Sequence, residues 1–117
     1  MSVEGFWYLA VSEDAIAAGI ELASGLLLLH DGHIRSMEST PTVSGHYRIN
    51  GSILTCFFRS LATWSNLSRP ICQLDGELRG DIIELRGTCD DRPRLRFDAR
   101  LARPKTSARS SQGAMQD

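Results

Sequence analysis

The side chains able to do chemistry are few, and they lie far apart in the chain. Three histidines, His30, His33 and His46, are of the type that binds zinc. His30 and His33 flank the dipeptide Asp31-Gly32, so a turn there would bring them near one another. His33 directly follows a glycine, however, and His46 falls on the outward phase of an alternating segment. The three therefore read as solvated or hydrogen-bonding side chains, and no metal site is expected. Cys56 or Cys72 with a histidine base would form a nucleophilic pair, but both cysteines alternate with apolar neighbours and read as inert core thiols. Cys89 stands beside Asp90 and Asp91, where negative charge opposes a thiolate. Three cysteines are an odd number at wide spacing with no C-x-x-C, so reduced thiols are expected rather than a disulfide framework. Asp75 and Glu77 share one face of an alternating segment, as a glycosidase pair could, but they run into Arg79 like a solvated strand surface. The reading is a non-enzyme, with no catalytic residue and no cofactor.

Composition narrows the partners. The chain has 117 residues, 42% hydrophobic and 23% charged, which suits one folded domain. Its formal charge of -1 gives no positive field for nucleic acid. Arg92, Arg94, Arg96, Arg100 and Arg103 form a basic run, partly offset by Asp90, Asp91 and Asp98, which reads as a solvated strand face. Direct nucleic-acid binding is thus not expected. The N-terminus has no basic leader and no long apolar run follows, so neither a signal peptide nor a membrane association is expected. Twelve of the thirteen basic residues are Arg, which fits a GC-rich bacterial genome. These points together place the protein in a cytoplasm.

Any such residues must be positioned by strands, because the dominant pattern has period two. Cys72, Leu74, Gly76 and Leu78 oppose Gln73, Asp75, Glu77 and Arg79. Leu95, Phe97, Ala99 and Leu101 oppose Arg94, Arg96, Asp98 and Arg100. Such segments are half-buried antiparallel strands. Asp31-Gly32 and Asn50-Gly51 mark type I′ hairpin turns, Gly80-Asp81 a third tight turn, and Asp90 to Pro93 a longer loop. Eight strands follow, over about 4–11, 24–30, 33–38, 42–49, 52–60, 70–79, 81–88 and 94–102. Eight meandering strands close best as an all-β, antiparallel up-and-down barrel, with a β-sandwich as the alternative. Ser12 followed by acids leaves room for a short helix within 13–23, limited by Gly19. Residues 1–103 form the barrel domain. Residues 104–117 read as a disordered tail.

The N-terminal strands are apolar on both faces, and a barrel has one inside. Trp7 and Leu9, and Ile53 and Phe57, belong to the faces that need a second cover. That cover is the 13–23 insert, a second copy of the chain, or another protein. Tyr47, Leu74, Leu85 and Phe97 point inward, where they either fill the barrel or line a pocket. Gly45, Gly76, Gly87 and Ala99 leave room for the latter.

The order of these segments resembles one known family. Gly5-Phe6-Trp7-Tyr8, the stretch Gly25 to Ile34 with its Asp31-Gly32 turn, Gly45-His46-Tyr47, Gly51-Ser52-Ile53-Leu54 and Leu74 to Gly80 are similar to the successive hairpins of the GrlR-like family. That family is named for a negative regulator of bacterial type III secretion genes. The resemblance covers about residues 4–102. It implies a lipocalin-like barrel, a homodimer, and regulation by sequestering a protein partner such as a transcriptional regulator. On that reading Trp7, Leu9, Ile53 and Phe57 carry the self or partner contact. The alternative is a carrier of small apolar, lipid-like ligands, with Tyr47, Leu74, Leu85 and Phe97 lining its pocket.

Overall fold

The alternation resolves into eight strands and one short helix in a computed structural model, which describes residues 3–20, 22, 24–37, 43–60 and 71–104. The strands are β1 (Gly5–Val11), β2 (Gly25–His30), β3 (His33–Ser36), β4 (Val43–Asn50), β5 (Ile53–Ser60), β6 (Ile71–Glu77), β7 (Ile82–Cys89) and β8 (Arg92–Ala102). A five-residue helix, α1 (Glu13–Ala17), lies between β1 and β2. Each strand pairs antiparallel with the next, and β8 returns to pair with β1. The barrel is closed, so each of the eight described strands has a partner on both sides. The expected up-and-down barrel is the observed architecture. The segment 61–69 and the tail from 105 onward lie outside the described residues.

The turns obey local sterics. Asp31 and Gly32 have φ of 52° and 81°, as a type I′ hairpin requires. The next hairpin differs from expectation by one residue. Asn50 still pairs with Ile53, so the turn is Gly51-Ser52, and Gly51 has φ 63°. Positive φ at the first central position alone is the type II′ pattern, which needs glycine there. The loop expected over Asp90 to Pro93 is shorter as well. Cys89 pairs with Arg92, leaving a two-residue turn, and a register shift between Gly87 and Cys89 absorbs the irregularity.

Side chains on the inward phase fill the barrel. Trp7, Leu29, Leu54, Phe58, Leu74, Ile83 and Leu101 are shielded from solvent. The helical insert caps one end of this core. The Ser12 hydroxyl accepts from the Ala15 amide, Ala15 is buried, and Ile20 and Leu22 join the core cluster. Arg92, at the start of β8, donates to the Ala18 carbonyl. The insert's described residues thus add Ala15, Ile20 and Leu22 to the barrel core and pack α1 against β8. At the opposite end the Trp7 indole donates to the Val3 carbonyl at 2.7 Å, drawing the first residues beneath the core.

Two expectations about the interior are corrected. Gly45 and Gly87 do not leave room. A Cβ on either would stand 1.8 Å from a carbonyl oxygen, that of Phe57 or Gln73 respectively. They are places where neighbouring backbone crowds the wall. Cys72 and Cys89 are not thiols either: they face one another across β6 and β7 and form a disulfide. Sequence spacing carries no pairing information, but the β6–β7 register does. Cys56 remains a buried free thiol, and burial pushes it up to about 12.

Candidate functional site

β1 presents aromatic residues on both faces, and its pairing decides which face is inside. Trp7 and Leu9 are fully enclosed. Neither can form a contact surface without opening the barrel, so that part of the expected interface is corrected. A buried indole of this size stabilises the core by about 2–3 kcal/mol, which favours this phase. The outward phase is then Phe6, Tyr8 and Ala10. Phe6 is 47% exposed and Tyr8 52% exposed.

The register extends this face across neighbouring strands. Tyr8 pairs with Ala102 of β8 on one side and Leu26 of β2 on the other. Ala102 pairs in turn with Ile82 of β7, which is 49% exposed. Beyond Leu26, the Met37 amide donates to the Leu26 carbonyl, and Met37 is exposed. Phe6 pairs with Leu28 in the adjacent row. An apolar strip thus crosses four strands and reaches Met37, just beyond β3, with Tyr8 near its centre. Sequence reading found the two-faced character of β1 but chose the wrong face. With both phases aromatic, only the pairing of β1 could decide.

The second expected contact region is partly occupied. Ile53 is 41% exposed at the start of β5. Phe57 is half-buried, with the His46 ring stacked on it at 4.6 Å and the Arg48 guanidinium 5.3 Å from its centroid. These polar neighbours cover much of the Phe57 ring, whereas the Tyr8 strip has apolar neighbours on both sides.

Tyr47, Leu74, Leu85 and Phe97 are buried inside the barrel, as expected from their phase. They pack with the core cluster. A cavity of about 830 Å³ lies where β1, β7 and β8 meet the start of α1, and of these four residues Leu85 borders it. It is lined by Ala10, Glu84, Arg86, Asp98 and Arg100 of the outward phase and by Val11, Leu85 and Ala99 of the inward phase, with Ser12 and Glu13 at the start of α1. Four of its charges are matched in pairs: Arg86 to Asp98 at 2.7 Å and Arg100 to Glu84 at 2.8 Å. The basic run expected along β8 is thereby divided. Arg100 is paired, Arg92 is on the α1 carbonyl and Arg103 is folded over Trp7, while Arg94 and Arg96 are exposed.

At the N-terminal end, the Glu4 carboxylate gathers three groups. It accepts from the Asp31 amide at 2.8 Å and the Tyr47 hydroxyl at 3.4 Å, and lies 3.2 Å from His30 Nδ1. The Asp31 amide bond, with help from His30 and Tyr47, holds the Glu4 carboxyl below its ordinary value. Burial and the Glu4 charge push the Tyr47 phenol up. Among the described residues no group of three or more histidines, cysteines or carboxylates could hold a metal ion, and no helix is long and apolar enough to cross a membrane.

Comparison with protein-family models, curated proteins and solved structures gives no match for this chain.

Proposed function

We propose that this barrel is a non-enzymatic binding protein that sequesters a protein partner on its outer wall. The partner class is the one the GrlR-like resemblance implies, a transcriptional regulator, and the barrel acts as a homodimer. One observation carries the reading: the apolar strip of Ile82, Ala102, Tyr8, Leu26 and Met37, with Phe6 and Leu28 beside it. Exposed aromatic side chains among apolar neighbours are the usual anchors of protein contacts. The barrel interior supports the same choice, because Tyr47, Leu74 and Phe97 are spent on core packing, although Leu85 also borders the cavity beside α1.

The test is native mass spectrometry of the protein gently isolated from its source cells, beside a Tyr8→Asp variant. Tyr8 is exposed, so the variant is expected to fold with an unchanged melting temperature and to lose the protein bound to wild type. A wild-type barrel that carries a discrete small apolar mass and no protein would overturn the reading in favour of a ligand carrier.

A further inference from the structure

The overall charge of -1 averages two unlike walls. No Asp or Glu occurs from Ser39 to Leu74, and β3, β4 and β5 carry Arg35, Arg48 and Arg59 with no acid among them. All three arginines are exposed, and buried neighbours fix their outward phase: Ile34, Tyr47 and Phe58 point inward. Elsewhere Arg79, Arg86 and Arg100 each have a carboxylate within 2.8 Å. Among the described residues no carboxylate pairs with Arg35, Arg48 or Arg59. Register sets these cations around a group of rings. Ser44 pairs with Arg35 on one side and Arg59 on the other, so the two arginines share a row, about 9–10 Å apart by strand spacing. In the next outward row His33 pairs with His46, and His46 with Phe57. Arg48, opposite Thr55, lies in the row beyond. The His46 ring is exposed and lies on Phe57 at 4.6 Å, with 18° between the planes. Acids bound this face on either side: Asp75 pairs with Thr55 from β6, and Glu4 holds His30 at the end of β2.

We propose that the outer wall of β3, β4 and β5 binds single-stranded nucleic acid. Arg35, Arg48 and Arg59 contact phosphates, and the exposed His46 ring, backed by Phe57, stacks on a base. Cations without carboxylate partners supply affinity for phosphates whatever the sequence. The rings between them supply a π surface on which an unstacked base can lie. That surface favours nucleic acid over an acidic peptide, which charges alone would hold. A duplex keeps its bases stacked on one another, so a single strand is the form that reaches the ring. The net charge that argues against nucleic acid belongs to the whole chain, whereas a contact reads one wall. The face uses no residue of the Tyr8 strip, so either reading can fail without the other.

The experiment is fluorescence anisotropy of the full chain with labelled oligo(dT) and oligo(U) of about 12 nucleotides, and with labelled polyglutamate as a polyanion without bases. Saturable binding to the oligonucleotides is expected. Log K should fall against log salt with a slope of about -2, which corresponds to three phosphate contacts on a single strand. Arg35→Gln, Arg48→Gln and Arg59→Gln should each weaken binding and flatten the slope by about 0.7. His46→Ala should weaken binding by about fivefold or more at an unchanged slope, and His46→Phe should restore it, because stacking needs a ring and no charge. Arg96→Gln, exposed on β8, should bind like wild type. The substituted side chains are all exposed, and unchanged circular dichroism will show that the variants remain folded. Absence of saturable binding, or wild-type affinity in the three arginine variants or in His46→Ala, would overturn the proposal. Polyglutamate bound as tightly as the oligonucleotides would overturn it in favour of an acidic peptide.

Discussion

The Arg103 guanidinium carbon lies 4.0 Å from the centroid of the Trp7 ring. From there Arg103 donates to the Glu4 and Phe6 carbonyls at 3.0 and 3.2 Å. The residue just beyond β8 is thus fastened to β1, on the seam that closes the barrel. Arg103→Ala is expected to destabilise the fold by about 1–3 kcal/mol, the combined scale of a cation–π contact and charge-assisted hydrogen bonds. Arg103→Lys should recover only part of this, because a single ammonium cannot lie over the ring and reach both carbonyls in the same way. Urea denaturation of the three proteins measures the difference.

Two glycines should fail for different reasons. At Gly87 an added Cβ would collide with the Gln73 carbonyl at 1.8 Å, so the backbone of β6 or β7 must move. Gly87→Ala is expected to cost about 3 kcal/mol or more. At Gly80 the space is open but φ is 87°, so only conformational strain applies. Gly80→Ala should cost about 1–2 kcal/mol. Equal losses in chemical denaturation would contradict the crowding assigned to Gly87.

The cysteines should separate into one silent thiol and one bond. Cys56 is buried and its thiol is pushed up to about 12, so a thiol reagent should label it only after unfolding. Cys72 and Cys89 are 17 residues apart, and closing a loop of that length stabilises by about 3 kcal/mol. Reduction, or the Cys72→Ser/Cys89→Ser pair, should lower the melting temperature accordingly. Disulfides persist in oxidising surroundings, so counting thiols in protein taken directly from its host also bears on where the barrel works. One thiol per denatured chain is the count this pairing predicts; three would mean that the bond is open in the cell.

Acid should weaken the fold through Glu4 and Glu84. Both carboxyls lie below their ordinary value of 4.5 in the folded chain, Glu4 chiefly through the Asp31 amide and Glu84 chiefly through Arg100. A depressed carboxyl stabilises the fold above its unfolded value. That contribution is lost as the pH falls through the folded one. Stability should therefore drop below about pH 4.5, and Glu84→Gln should flatten the acid limb of the curve. Melting temperatures between pH 3 and 7, a range set around the ordinary carboxylate value, test this.

The strands were legible because polar and apolar residues alternate from Cys72 to Leu101, a pattern that few other structures share. The same signal was silent at β1. Phe6 and Tyr8 are as apolar as Trp7 and Leu9, so alternation marks two faces without saying which is buried. The pairing of Trp7 with Leu27 and Leu9 with Leu101 decides it, and that is a long-range fact. The disulfide was hidden for the same reason: Cys72 and Cys89 meet only through strand register. The Gly51 turn was misplaced by one residue because Asn-Gly is a strong type I′ signal, while Gly-Ser serves type II′ equally well.

The central claim is that the wall around Tyr8 is a protein contact surface. It is tested most directly by placing a photo-crosslinking amino acid at Tyr8 and, in a separate variant, at Arg96, which is exposed on β8 away from the strip. Irradiation in the source cells should give a discrete protein adduct at position 8 and none at position 96. No adduct at position 8, or the same adducts at both positions, would contradict the claim.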